Sequence, residues 1–198
     1  MTCEQELART LKKLVLSGSR HGTKLDYSQV DREVVSAAIV QYLEQAQRLG
    51  QGFAQQQLGQ QSRGLGNALK SVVTTAQNLM SRAINWATSL FSEQVEALGD
   101  DASSDDIEAV MESVAEQVAD TYATTEIQTV IEETVLDALQ ASGVAQIEAV
   151  NEPDACALCV TNAEAGPIPI GSTFPSGHTN APFHNRCRCH IQAVGGQS

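Results

Sequence analysis

Cys156 to His190 is the stretch that most restricts what this chain can fold into. It opens with Cys156-Ala157-Leu158-Cys159 and closes with His184-Asn185-Arg186-Cys187-Arg188-Cys189-His190, so it holds four of the chain's five cysteines. Between the two ends lie Pro167, Pro169, Pro175 and Pro182, with Gly166, Gly171 and Gly177. Proline removes a backbone donor and fixes φ, so a run this rich in Pro and Gly predicts loop rather than helix. Large apolar residues are few here, and burial alone is not expected to hold the segment together. Two close-spaced ligand pairs separated by a loop are how a small module holds a tetrahedral metal ion, which supplies what a core does not. The first pair is expected on a tight turn, and the second returns from the far end of the loop.

The leading reading is one structural Zn2+. There are more candidate ligands than places. Cys156 and Cys159 come first, His184 with Cys187 forms a finger-like pair, and Cys189 is the alternative fourth ligand. His178 and His190 fall outside the set. Two disulfides are the alternative in an oxidising compartment. A catalytic zinc is the other alternative, and it requires an open coordination position and a base. The zinc-deaminase pattern is absent, because no His-x-Glu precedes the cysteines and His178 is followed by Thr179-Asn180. Of the nearby carboxylates, Asp154 is expected to cap its turn, and Glu164 is the only other. No catalysis is expected.

Charge is distributed unevenly over the 198 residues, whose net charge is −12. Residues 1–82 carry ten Lys/Arg against six Asp/Glu, residues 83–185 carry eighteen Asp/Glu and no Lys or Arg, and residues 186–198 add two Arg. So long an acidic block repels nucleic acid. Any contact with DNA is expected to be weak and to involve residues 1–82, or Arg186 and Arg188. No apolar run approaches the ~20 residues of a membrane span. The polar, acidic start Met1-Thr2-Cys3-Glu4-Gln5-Glu6 lacks the pattern of a signal peptide, so cytosolic synthesis with reduced thiols is expected, and Cys3 as a free thiol.

Apolar spacing at three and four predicts helices before the cysteines. Cys3 to Ser17 carries Leu7, Leu11, Leu14 and Val15 on one face. Gly18 to Lys24 reads as a loop. Ser28 is the expected N-cap of a second helix bearing Val30, Val34, Ala37, Ala38, Val40, Tyr42 and Leu43. Gln45 to Gln61, with eight Gln and three Gly, reads as a weak helix or connector without chemistry. After Gly64-Leu65-Gly66, a stripe from Leu69 to Leu98 predicts one helix of about 30 residues, roughly 45 Å long. Trp86 is expected to anchor it against another helix. Gly99 to Ser104 breaks the pattern, and a further helix is expected from Ser104, with Asp105 and Asp106 at its positive end. The stripe restarts at Thr125 and ends at Gly143 as a C-cap. Gln146 to Val150 and Ile191 to Val194 read as strands. The expected class is therefore mainly α: long amphipathic helices followed by a small zinc-stapled β-hairpin module. The expected divisions are a helical region 1–100, acidic helices 101–145 and the zinc module 146–198.

The run from Thr125 to His190 resembles the C-terminal region of the minor head protein family of Mu-like tailed phages, the head-morphogenesis protein F family. Its elements here are Thr125-Glu126 opening a helix that ends at Gly143, and the strand Ile147 to Val150. Asp154-Ala155-Cys156-Ala157-Leu158-Cys159, the hairpin Gly166 to Gly171, and Ala181-Pro182-Phe183-His184-Asn185-Arg186-Cys187-Arg188-Cys189 follow. Thr124, Ala149 and Asn185-Arg186 depart from the family's usual Arg, Trp and Pro-Asn. The resemblance covers about a third of the chain. It implies a non-enzymatic virion component present in several copies in the capsid interior near the portal vertex, after assembly in the host cytoplasm. The implied partners are the portal protein or other head proteins, in head morphogenesis and genome packaging or delivery. The alternative class is a cellular zinc module that binds a partner or nucleic acid.

Overall fold

The computed structural model describes residues 2–59, 71–99 and 101–195. It is mainly helical, with a small β-sheet towards the C-terminus. No helix among the described residues is long and apolar enough to cross a membrane. The chain divides into two compact units, Met1–Leu43 with Ser71–Thr124, and Glu44–Lys70 with Thr125–Ser198.

The first unit opens with α1 (Cys3–Leu16). Thr2 and Gln5 close a reciprocal capping box, and Leu7, Leu11, Leu14 and Val15 are buried, as the spacing predicts. The segment expected as a loop is instead a hairpin of β1 (Ser19–His21) and β2 (Lys24–Asp26). Gly22 takes φ +63° in its two-residue connection, a conformation that favours glycine. Tyr27 is buried and its hydroxyl donates to the Val15 carbonyl, and burial pushes its pKa up to about 12.

α2 (Arg32–Leu58) begins three residues later than a Ser28 cap would place it. Asp31 is the cap, accepting the Glu33 and Val34 amides, while Ser28 bonds Asp26. Of the expected apolar positions Leu43 is buried, whereas Val34 and Ala37 face solvent. The Gln-rich stretch continues α2 to Leu58. Gly64-Leu65-Gly66 and Leu69 lie outside the described residues. α3 (Val73–Leu98) buries Ala76, Leu79, Met80, Ala83, Ile84, Ala87, Phe91 and Val95 and packs on α1 and β2. Trp86 meets Tyr122 of the next helix edge to face, with centroids 5.5 Å apart, which is the expected anchor.

That next helix, α4 (Ser104–Ala141), is one helix of 38 residues where two were expected. No Gly or Pro interrupts residues 119–125, and the buried stripe passes through the small side chains of Ala115, Ala119 and Ala123. A hydrophobic pattern carried by alanine is weak in sequence, yet alanine is the best helix former. It starts at Ser104 as expected, and Ser103 caps it in a reciprocal box with Asp106. Gly143, at φ +76°, ends the helix as expected: its amide reaches the Gln140 carbonyl and Val144 reaches Leu139.

In the second unit, β3 (Gln146–Val150) pairs antiparallel with β5 (His190–Val194) on one side and β4 (Ile168–Pro169) on the other. Between them stands α5 (Ala157–Glu164), a helix the sequence reading did not anticipate. The module also has its own core, contrary to expectation. Phe174 and Phe183 are fully buried, 5.2 Å apart edge to face, and Ile147 and Ile191 are fully buried too.

Gly50 shows how closely α2 and α4 approach within this unit. A Cβ there would lie 2.6 Å from the Ile131 carbonyl oxygen and 2.8 Å from Thr134 Cβ, whereas a Cβ at Gly52 would meet nothing. Gly52→Ala should therefore stabilise by about 0.5–1 kcal/mol through helix propensity. Gly50→Ala should destabilise by about 1–3 kcal/mol through overpacking. Urea titration of both variants checks the opposite signs; equal shifts would show that the contact does not constrain the helices.

Candidate metal centre

The ligands are positioned by the strand pair and by the turns that leave β3 and enter β5 at the same end of it. Past β3 the chain turns through Asn151 to Ala155, the Ala155 amide bonding the Glu152 carbonyl at 3.0 Å. Cys156 then sits at the N-cap of α5 with Cys159 in its first turn, so a helix start, rather than an isolated tight turn, aims the first pair. The first amides of α5 lie near Cys156 Sγ, although it makes no capping hydrogen bond to them. The Cys159 amide is the main cause that lowers its pKa, as expected of a thiol at a positive dipole end.

The second group arrives from the opposite direction. Asn162, fully buried, donates to Ser176 Oγ at 2.9 Å and accepts the Ser176 amide at 3.0 Å, pinning the returning loop to α5. His184 and Cys187 then close a turn, the Cys187 amide reaching the His184 carbonyl at 3.1 Å. Arg186 occupies φ +61° inside it, an uncommon conformation for a residue with a Cβ. Its amide donates to Thr125 Oγ1 at 3.0 Å. Thr125 thus lies within α4 and steadies the ligand turn, rather than opening a helix as the resemblance implies. From Cys187 burial alternates along the chain into β5, which begins at His190. Cys187, Cys189 and Ile191 are buried, while Arg188, His190 and Gln192 alternate to the other side.

All five expected ligands come together. They form two groups of three that share Cys159, namely Cys156, Cys159 and His184, and Cys159, Cys187 and Cys189, with ligand atoms within 4.8 Å of one another in each group. His184 Nε2 lies 3.2 Å from both Cys156 Sγ and Cys159 Sγ, and Cys159 Sγ is 3.6 Å from Cys187 Sγ. Bonds of about 2.0–2.3 Å in a tetrahedral site place ligand atoms roughly 3.3–3.8 Å apart, and these three separations lie close to that range. His184 Nδ1 is 2.8 Å from the Asn185 carbonyl oxygen, which can only accept. The proton therefore sits on Nδ1, and the Nε2 lone pair faces the thiols, as a ligating imidazole requires. Burial raises the Cys159 and Cys189 pKa values, and neighbouring thiols add to this at Cys159. A bound cation reverses that balance by stabilising thiolates. The cluster can hold a metal ion.

His178 stays outside the cluster, near Ser176 and exposed. His190 is also outside. Asp154 does not serve as a turn cap; its carboxylate pairs with Arg188, both side chains being largely exposed. Glu164 is exposed and belongs to neither ligand group.

Two supporting residues escaped the sequence reading. β5 has its outer edge capped by side chains, a stand-in for a fourth strand. Gln57 accepts the Ala193 amide at 2.9 Å and donates to the Ile191 carbonyl at 3.1 Å, and Glu132 accepts the Ile191 amide at 3.1 Å. The Gln-rich face therefore has a structural task at Gln57. A Glu within the apolar stripe of α4, between Ile131 and Val135, was the available signal for Glu132. Comparison of the chain with family models, curated proteins and solved structures returns no match.

Burial pushes the Glu132 carboxyl up to about 7, against the opposing pull of the Ile191 amide and Gln128. An acid with a raised folded pKa holds its proton more tightly in the fold. Its contribution is then most favourable below the ordinary value of 4.5 and is lost as pH rises to about 7. Relative to the natural chain, Glu132→Gln should gain stability between pH 5 and pH 8, by on the order of 3 kcal/mol at most. Urea denaturation of both proteins at the two pH values measures this, and a constant difference would refute it.

Proposed function

We propose that the chain is a phage minor head protein of the Mu-like protein F family, acting at the portal vertex in head morphogenesis and genome packaging or delivery. In this reading its C-terminal module is held by one structural Zn2+. The single observation that carries it is the convergence of the residues on which the resemblance rests. Helix α4, strand β3, the Cys-x2-Cys pair and the His-x2-Cys-x-Cys ending meet at one cluster, and Thr125 is bonded to the ligand turn. Mixed thiolate and imidazole donors, all from protein, suit a closed tetrahedral zinc site. Four protein ligands leave no water to activate, so the site is structural and the protein is not an enzyme.

The zinc reading is tested by metal analysis of reduced protein and by Co2+ substitution. One equivalent of metal and a four-coordinate, thiolate-rich spectrum are expected. Cys156→Ser should release metal and unfold the C-terminal module while most helical signal remains. Absence of zinc, a Cys156–Cys159 disulfide, or an exchangeable water ligand would overturn it.

The head-protein reading draws further support from charge. The positive balance of residues 1–82 is partly spent internally: Lys12 bonds Glu112 at 3.2 Å and also Glu116, whose hydrogen bonds raise its pKa. Arg48 pairs with Glu44 at 3.5 Å. Arg188 is offset by Asp154, which weakens the case for a nucleic-acid-binding zinc face. Purified protein should associate with the portal or another head protein, and should bind duplex DNA only weakly at ~0.15 M salt, where the Debye length is about 8 Å. Pull-down with portal protein and a salt titration of DNA binding check both. Tight, salt-resistant DNA binding without portal association would favour the cellular module instead.

A further inference from the structure

The second unit contains a cavity of about 360 Å3 beside β5. Phe53 and Gln56 of α2, Gln128 and Glu132 of α4, and Arg188 and His190 of the returning chain are among its lining residues. Its volume lies in the range of small-ligand sites and exceeds what one side chain fills.

Its chemistry is uneven. Glu132 is 2% exposed, yet it lines the cavity. Its two hydrogen bonds come from uncharged donors, the Ile191 amide and the Gln128 side-chain amide, and among the described residues no cation pairs with it. A buried carboxylate without a positive partner is costly, and a cation delivered with good hydrogen-bond geometry relieves that cost. The Gln128 amide nitrogen is engaged with Glu132, which leaves its oxygen as a second acceptor. Gln57 is held by β5 and Gln192 donates to Glu148, so neither amide is free to turn and donate a further hydrogen bond to Glu132. Arg188 also lines the cavity, but its side chain is 62% exposed and joined to Asp154, so its charge is offset at the rim.

The rim also has an apolar component. Phe53 is 48% exposed, and Leu49, one turn before it on the same helix face, is 46% exposed. A free small amine has no use for such a strip, whereas a peptide side chain brings apolar neighbours. An aromatic ring at the mouth also suits a cation.

We infer that this cavity receives an arginine or lysine side chain from a partner protein, its cationic head on the Glu132 carboxylate and Gln128 carbonyl and its neighbouring residues against Phe53 and Leu49. The inference depends on neither the identity of the metal nor the head-protein reading.

The test uses the full, metal-loaded chain, isotopically labelled, titrated with acetyl-Leu-Arg-Leu-amide and followed by NMR. The controls are the same peptide with citrulline, the uncharged isostere of arginine, and putrescine as a free amine. Expected are shifts centred on Phe53, Gln128, Glu132 and Ile191, with binding at least tenfold weaker for the citrulline peptide and for putrescine. Glu132→Gln, which keeps an acceptor and removes the charge, should abolish the preference for arginine over citrulline. If that variant fails to fold, Phe53→Ala, at an exposed position, should still weaken binding severalfold. Equal binding of the citrulline peptide overturns the proposal. So do shifts spread along the acidic face of α4, which mean general charge attraction, and putrescine binding as tight as the peptide.

Discussion

The pairing of β3 with β5 is the constraint on which the C-terminal half depends. Its register runs from Gln146 opposite Val194 to Val150 opposite His190. Cys156 follows Val150 by six residues and Cys189 immediately precedes His190, and Val150 and His190 are partners at one end of the ladder, so the hydrogen bonds that zip the strands also bring both thiol groups to that same end. A metal ion held there would tie a junction that the sheet has already assembled. This division of labour differs from that of a module with no core, since Phe174, Phe183, Ile147 and Ile191 are fully buried beside it.

A pairing of so few strands leaves an edge problem. The outer backbone groups of β5 have no fourth strand, and an exposed edge invites pairing with other chains. Here Gln57 and Glu132 supply the missing donors and acceptors from two helices. The same solution places a carboxylate in a poorly hydrated position and raises its pKa to about 7. One side chain therefore completes a sheet and leaves, beside a cavity, a buried carboxyl with no cationic partner among the described residues.

What was legible in the sequence follows from the range of the interactions. The ligand set was legible because thiols and imidazoles at short spacings have few other uses, and α1 and α3 were legible because large aliphatic residues mark their buried faces. The middle of α4 was not, because its buried face there is alanine. α5 was missed because the Pro and Gly that follow it dominated the reading of the whole segment. The β1–β2 hairpin was missed because three-residue strands carry too little alternation to register. Thr125, Glu132 and Gln57 act across 61, 59 and more than 130 residues of chain respectively, and a local pattern does not reveal such partners.

The burial alternation from Cys187 into β5 covers the thiols and Ile191 and leaves Arg188, His190 and Gln192 more exposed. Because the pleat has a period of two, deleting or inserting one residue at the start of β5 would exchange the sides of the strand residues wholesale and shift the preceding thiols relative to the ladder. The length of this segment is therefore as restrictive as its composition. Substitutions on the outward side can accumulate without disturbing the ligands, so two separate tasks can evolve independently on a single strand.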